Sequence, residues 1–212
     1  MTKPLFIAFE GIDGSGKSTQ VKLLSDRLIA LGHNVYPTFE PSNGEIGLMI
    51  RKILKGETKA DERTIAALFV ADRLDHLLNE KIGLVKKLEE GITVITDRYY
   101  FSNYAYNGTQ MDMQWVINAN SLSADILRPD LTIFIDLAPE ISMERLTKNR
   151  ETIELYENLE NLKAVRAKYL EAFELLKNSE QVAIVNGNQT PEMISDTIWT
   201  IVSKELIAKA NT

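Results

Sequence analysis

The chain has 212 residues, no cysteine and a formal net charge of −6 at pH 7. That length buries one substantial core, so a single domain over 1–212 is expected. The missing thiols exclude disulfides, thiolate metal sites and thiol nucleophiles, and the acidic balance argues against a surface built to neutralise nucleic-acid polymer or anionic lipid.

In chain order, Leu5–Phe9 is a short apolar run between Pro4 and a glycine-rich loop, the pattern of a strand buried on both faces. From Ser18 to Leu31, apolar Val21, Leu24, Leu28 and Leu31 recur at helical spacing, with Gly32 and Asn34 as a stop signal. Val35–Phe39 reads as a second strand, halted before Pro41. The spacing then predicts one long helix over Glu62–Glu90, with a stripe of Val70, Leu74, Leu77, Leu78, Ile82, Val85 and Leu88 and an end at Gly91. Ile92–Thr96, Leu131–Leu137 and Val182–Val185 complete the strand candidates, with helical patterns between them and a last helix over Met193–Ile207. Parallel strands need crossover connections, so this alternation implies a three-layer α/β fold: a parallel sheet of about five strands with helices on both faces. Glu144–Glu160 stands apart, crowded with Arg145, Lys148, Arg150, Glu151, Glu154 and Glu157, and reads as a short, solvated, mobile lid. His33 and His76 lack metal-ligand spacing, and no apolar run reaches membrane-spanning length; a cytoplasmic location is expected.

Gly11-Ile12-Asp13-Gly14-Ser15-Gly16-Lys17-Ser18 fits G-x-x-x-x-G-K-[ST], after a strand and opening a helix. Such a P-loop binds the phosphates of ATP with Mg²⁺. Glycines let backbone N–H groups converge on phosphate, Lys17 reaches the β/γ oxygens, the Ser18 hydroxyl ligates the metal, and Thr19 belongs to the same cradle. Asp97, ending a strand, faces that loop and is the second metal candidate. Asp136 ends another strand and competes; Asp97 is favoured because Arg98 beside it supplies a donor for a second phosphate.

Phe69 and Arg73 are neighbours at i and i+4, a ring beside a guanidinium suited to a planar base. Asp97 to Asn107 gathers a carboxylate, an arginine, amides and phenols just past a strand, in the kind of loop where open α/β sheets bind ligands. With Phe9 to Gln20, Phe69-x-x-x-Arg73, Asp97-Arg98-Tyr99-x-x-Ser102 and the charged segment before Val165 to Leu170, the chain resembles the thymidylate kinase family over nearly its whole length. The resemblance implies phosphoryl transfer from ATP to dTMP by a homodimer, with the helix from Glu62 supplying the contact surface. Residue by residue, it implies that Phe69 stacks on thymine and Arg73 reaches its O4. Asn103 and Asn107 address the base edge near N3, Arg98 and Arg51 hold the acceptor phosphate, and Asp13 meets the sugar 3′-hydroxyl. Tyr106 crowds the 2′ position, and Glu40 corresponds to the glutamate of the bacterial Arg-Glu-Pro. Phe39 stands where many bacterial members carry Arg, and Gly14 where the eukaryotic branch carries Arg, so the catalytic arginine is expected in the lid: Arg150 first, Arg145 second. Asn186 to Gln189 is either an adenine contact or a plain turn.

Three other functions compete. A GTPase needs an Asn-Lys-x-Asp motif, which is absent. A deoxynucleoside kinase needs a carboxylate base, for which Glu10 is the candidate, and would leave Arg51 and Arg98 without an acceptor phosphate. A regulatory module without catalysis has no chemical need for Lys17, Ser18, Asp97 and lid arginines together.

Overall fold

A computed structural model of the protein describes residues 3–149 and 158–210, and Arg150 lies outside the described residues. The elements are β1 (Phe6–Glu10), α1 (Lys17–Ala30), β2 (Val35–Phe39), α2 (Glu45–Leu54), α3 (Glu62–Leu78), α4 (Leu84–Glu89), β3 (Thr93–Asp97) and α5 (Tyr100–Asn107). After them come α6 (Met113–Ala119), α7 (Ser121–Ile126), β4 (Leu131–Asp136), α8 (Pro139–Asn149), α9 (Leu159–Leu176), β5 (Val182–Asn186) and α10 (Pro191–Ala210).

The strands form one five-stranded sheet in the order β2-β3-β1-β4-β5, parallel throughout. Side chains alternate across it. Phe6 and Ala8 of β1 join Val94, Phe134, Tyr169 and Phe173 in a core on one face. Leu5, Ile7 and Phe9 join Val21, Leu24, Leu28, Ile95, Ile135 and Ile198 on the other. Every residue of β1 is buried, as expected for a central strand covered on both sides. Register decides what meets at the C-terminal edge: Asp97 lies opposite Phe9 on one side and Phe39 on the other, so Glu10, Glu40 and Arg98, each one residue further on, emerge together.

Two expectations need correction. The helix predicted over Glu62–Glu90 is two helices, α3 and α4. Asn79 interrupts it, its side chain accepting from Lys81 N at 3.0 Å and Ile82 N at 3.2 Å, which closes a turn in place of the next helical bonds. Gly83 completes the turn at a point where a Cβ would sit 2.4 Å from the Asn79 carbonyl oxygen. Leu78 and Ile82, placed in the apolar stripe by spacing, are exposed instead. Second, Tyr100–Asn107 is not a loop but helix α5, buried along its whole length. Its rings pack on one another and on Phe173, with Tyr100 and Tyr104 stacked at 5.4 Å. Within the charged segment, Glu144 to Asn149 is the last part of α8, which the buried Leu146 anchors.

Candidate active site

The loop between β1 and α1 is shaped by glycine. Gly11, at φ 147, lies where a Cβ would meet the Ile135 carbonyl oxygen and the Ser15 hydroxyl, each at 2.8 Å. Gly16, at φ 94, turns the chain into α1, whose first backbone N–H groups then point into the concavity. Lys17 folds back over the loop and donates to the Ile12 carbonyl at 3.1 Å. Burial, and next the charge of Arg98, push the Lys17 ammonium down to about 8 against the pull of Asp97, Asp13 and Glu10. Ser18 Oγ donates to Asp97 Oδ2 at 2.5 Å, which brings a hydroxyl from α1 and a carboxylate from β3 into contact across 79 residues of sequence. These are hard oxygen donors of the kind Mg²⁺ accepts. Among the described residues no cluster of three or more Asp, Glu, His or Cys could hold a metal, so a Mg²⁺ ion held by Ser18 and Asp97 would need its remaining ligands from phosphate and water. Asp136 is engaged elsewhere, accepting from Arg166 of α9 at 2.6 and 2.8 Å.

Arg98 is the hub of the neighbouring space. It has φ 73, the one positive value among the described non-glycine residues. That kink carries its side chain from the end of β3 back across β1. One terminal nitrogen donates to the Gly11 carbonyl at 3.2 Å, Ser102 Oγ at 2.9 Å and Tyr169 OH at 3.3 Å. The other reaches Asp13 Oδ1 at 2.5 Å and Tyr106 OH at 3.1 Å. Burial alone would raise the Asp13 carboxyl, but Arg98, then Lys17, and the Tyr106 phenol outweigh it and hold the group at about 2. Asp13 therefore stays ionised throughout the neutral range.

Glu10 has no exposure and accepts four hydrogen bonds: Tyr99 N at 2.8 Å, Ser102 N at 3.1 Å, Ser102 Oγ at 2.6 Å and Tyr169 OH at 2.8 Å. Both oxygens are saturated. A group so enclosed cannot take a proton from an acceptor hydroxyl, which removes the candidate base of the deoxynucleoside-kinase alternative.

Behind the loop, Glu40 is buried against Arg73 of α3, accepting on Oε2 from Nε at 2.9 Å and from the second terminal nitrogen at 2.7 Å. His76 Nδ1 lies 3.3 Å from Glu40 Oε1. Arg73 also donates to Asn120, and its guanidinium lies 5.2 Å from the Tyr99 ring. Phe69, one turn earlier, is half-buried. Arg51 of α2 donates to the Pro41 carbonyl at 2.6 Å and to Asn43 at 3.4 Å, with the Phe39 ring 5.9 Å away.

A cavity of about 790 Å³ joins the phosphate loop to Arg98 and Glu40. It runs from Phe39, Glu40, Asp97 and Arg98 past Asp13, the loop from Gly14 to Ser18 and Thr19 to Arg145, Gln189, Pro191 and Ile194. Arg145 bridges the Gly14 carbonyl at 3.4 Å and the Gly187 carbonyl at 3.1 Å. Lys148 is exposed. Arg51, Phe69, Arg73, Asn103, Tyr106 and Asn107 do not line this cavity; Arg73 and Tyr106 reach its wall through Glu40 and Asp13.

The thymidylate kinase family model matches residues 9–198. The chain belongs to the thymidylate kinase family. A probable thymidylate kinase of Pyrococcus horikoshii is 38% identical over 209 residues, covering 95% of this chain and 97% of the relative. One of Methanococcus aeolicus is 35% identical over 207 residues, 95% of this chain and 98% of the relative. The thymidylate kinase of Leptospira interrogans is 38% identical over 168 residues, 79% of this chain and 80% of the relative. The fold is the P-loop fold of such kinases, and among the described residues no helix is long and apolar enough to cross a membrane.

In this thymidylate kinase site, sequence reading missed Tyr169, Asn120 and Ser142. Tyr169 links Glu10, Ser102 and Arg98; Ser142 donates to the Asp13 carbonyl; Asn120 ties Arg73 to Asn103. None carries a local signal, since each lies far along the chain from the group it holds.

Proposed function

We infer that the protein transfers the γ-phosphoryl group of ATP to dTMP, giving ADP and dTDP. The function rests on one observation: a phosphate loop with its lysine and a separate guanidinium, Arg98, border a single cavity, so two polyanions can be gripped by different cations. The acceptor phosphate is already an oxygen nucleophile, so no general base is needed. Charge is the obstacle, and positioned cations meet it. Lys17 and the loop amides hold the donor, Arg98 and Arg51 hold the acceptor phosphate, and Asp13 takes the sugar hydroxyl. Phe69, Arg73, Asn103 and Asn107 take the base, and Tyr106 crowds the 2′ position. Ser18 and Asp97 would hold Mg²⁺, which would neutralise charge on the donor oxygens. Arg150 supplies the remaining charge from the lid. Gln189, at the far end of the cavity, suits the nucleoside of the donor. Two chains form a homodimer, a pairing favoured by exposed Leu48 and Met49 on α2 and Leu78 on α3; sedimentation measures it.

The test is ADP release with Mg-ATP and either dTMP or thymidine. Release is expected with dTMP and not with thymidine, and slow ATP hydrolysis is expected with neither, because unfilled acceptor space leaves the transfer geometry incomplete. Release with thymidine alone would overturn the assignment.

Lys17 gives a pH-dependent expectation. In the free protein it loses its proton at about 8, whereas bound phosphates favour the charged form. ATP binding above that pH must therefore take up a proton, and affinity should fall by up to about tenfold per pH unit. Calorimetry in buffers of different ionisation enthalpy measures the uptake directly; no uptake at pH values above 8 would contradict the role given to Lys17.

A further inference from the structure

Behind Glu40, four buried side chains stand in a row with a definite direction. Arg73 donates to Asn120 Oδ1, Asn120 Nδ2 donates to Asn103 Oδ1 at 2.7 Å, and Asn103 Nδ2 donates to Asn107 Oδ1 at 2.6 Å. Each is at most 2% exposed. The row ends on Asn107 Nδ2, a buried donor with no hydrogen-bond partner.

A primary amide can turn end for end with little change of shape, so its direction depends on what its neighbours permit. Here the decision is made at Asn120, between α6 and α7. On one side is a guanidinium, which only donates. On the other is the Val116 carbonyl, which only accepts and takes Asn120 Nδ2 at 2.8 Å. With Asn120 fixed in this way, Asn103 must turn its oxygen toward Asn120 and its nitrogen toward Asn107, leaving Asn107 to end in N–H.

We propose that Asn120 is a positioning residue that sets the donor direction of the α5 amides and so makes the base site choose a keto over an amino pyrimidine. This rests on the proposed function, in which Asn103 and Asn107 address the base edge. Thymine offers keto oxygens and one N–H; cytosine has an amino donor in place of the 4-keto group and an acceptor in place of that N–H. The 4-keto oxygen has two lone pairs, so it can accept from Arg73 and from a row ending in N–H, which opposes a 4-amino group; Asn103 Oδ1 retains a second lone pair for the thymine N–H. Reversing the row reverses the preference. Asn120 acts on this choice through Asn103 and Asn107, without touching substrate.

Asn120→Asp is the discriminating variant, because aspartate keeps the shape and still accepts from Arg73 but cannot donate to Asn103. The expected result is a fall of at least about tenfold in the ratio of kcat/KM for dTMP over dCMP, carried by KM with kcat little changed. Thermal melting first establishes that the variant is folded. Asn120→Ala, which releases the amides without reversing them, covers the case where it is not and should lower the same ratio by a smaller factor. If folded variants lose activity toward dTMP and dCMP in parallel, with the ratio unchanged, Asn120 is merely structural and the proposal is wrong. Wild-type protein that releases no ADP with dTMP would instead sink the proposed function, and this inference with it.

Discussion

Arg98→Ala is expected to lower kcat/KM for dTMP by about 10³ or more, the scale of losing an arginine that stabilises a transferring phosphoryl group. The same change strips Asp13 of its closest counter-charge. The two side chains are 16% and 25% exposed and the pair is 2.5 Å apart, so removal leaves a largely enclosed carboxylate whose burial cost Lys17 and Tyr106 only partly offset. Breaking such a pair from one side costs roughly 3 kcal/mol of folding stability. Arg98→Lys should rescue part of the stability and little of the activity, because one ammonium cannot reach Gly11, Ser102, Asp13 and Tyr106 together. Arg98→Gly provides a further control. At φ 73 glycine is unstrained, so this variant should be about 1 kcal/mol more stable than Arg98→Ala while equally inactive. Steady-state kinetics and denaturant melts measure both quantities; near-normal kcat/KM in Arg98→Ala would remove Arg98 from the acceptor site.

Arg150→Ala is expected to cut kcat by about 10³ with dTMP affinity nearly intact, since a lid arginine that meets the moving phosphoryl group acts in the transition state and not in binding. Arg145 gives the contrast. It is held by the Gly14 and Gly187 carbonyls, joining the phosphate loop to the turn after β5 beside Gln189. Arg145→Ala should accordingly raise KM for ATP more than it lowers kcat. Equal and large losses of kcat in the two variants would mean that the finger is not confined to Arg150; an unchanged kcat in Arg150→Ala would exclude it from the mechanism.

Local sequence carried the donor half of the site because its parts are consecutive. A strand, a glycine loop and a helix start at Lys17 need no distant contact to form a phosphate cradle. Asp97 and Arg98 were also legible, since a carboxylate and a guanidinium at the end of a parallel strand emerge at the ligand-binding edge whatever the rest of the sheet does. Periodicity went wrong where a side chain competed with the backbone: Asn79 ended α3 inside an apolar stripe that spacing alone would continue. The run Asp97 to Asn107 reads as a ligand-binding loop, yet from Tyr100 on it is a buried helix, because its rings pack on α9 and its polar atoms bond one another.

What the sequence by itself determined is the chemistry available: an ATP-type phosphate loop, a strand-end carboxylate and arginine, an alternating α/β chain and the family that these motifs resemble. Only the tertiary structure decided which charged groups are free to act. Glu10, Asp136 and Asp97 look alike as carboxylates at strand ends, but Glu10 is saturated by four donors, Asp136 is bound by Arg166, and Asp97 touches Ser18. The physical reason is that hydrogen bonding and burial depend on neighbours brought together by strand order and register, whereas motif spacing records only neighbours along the chain.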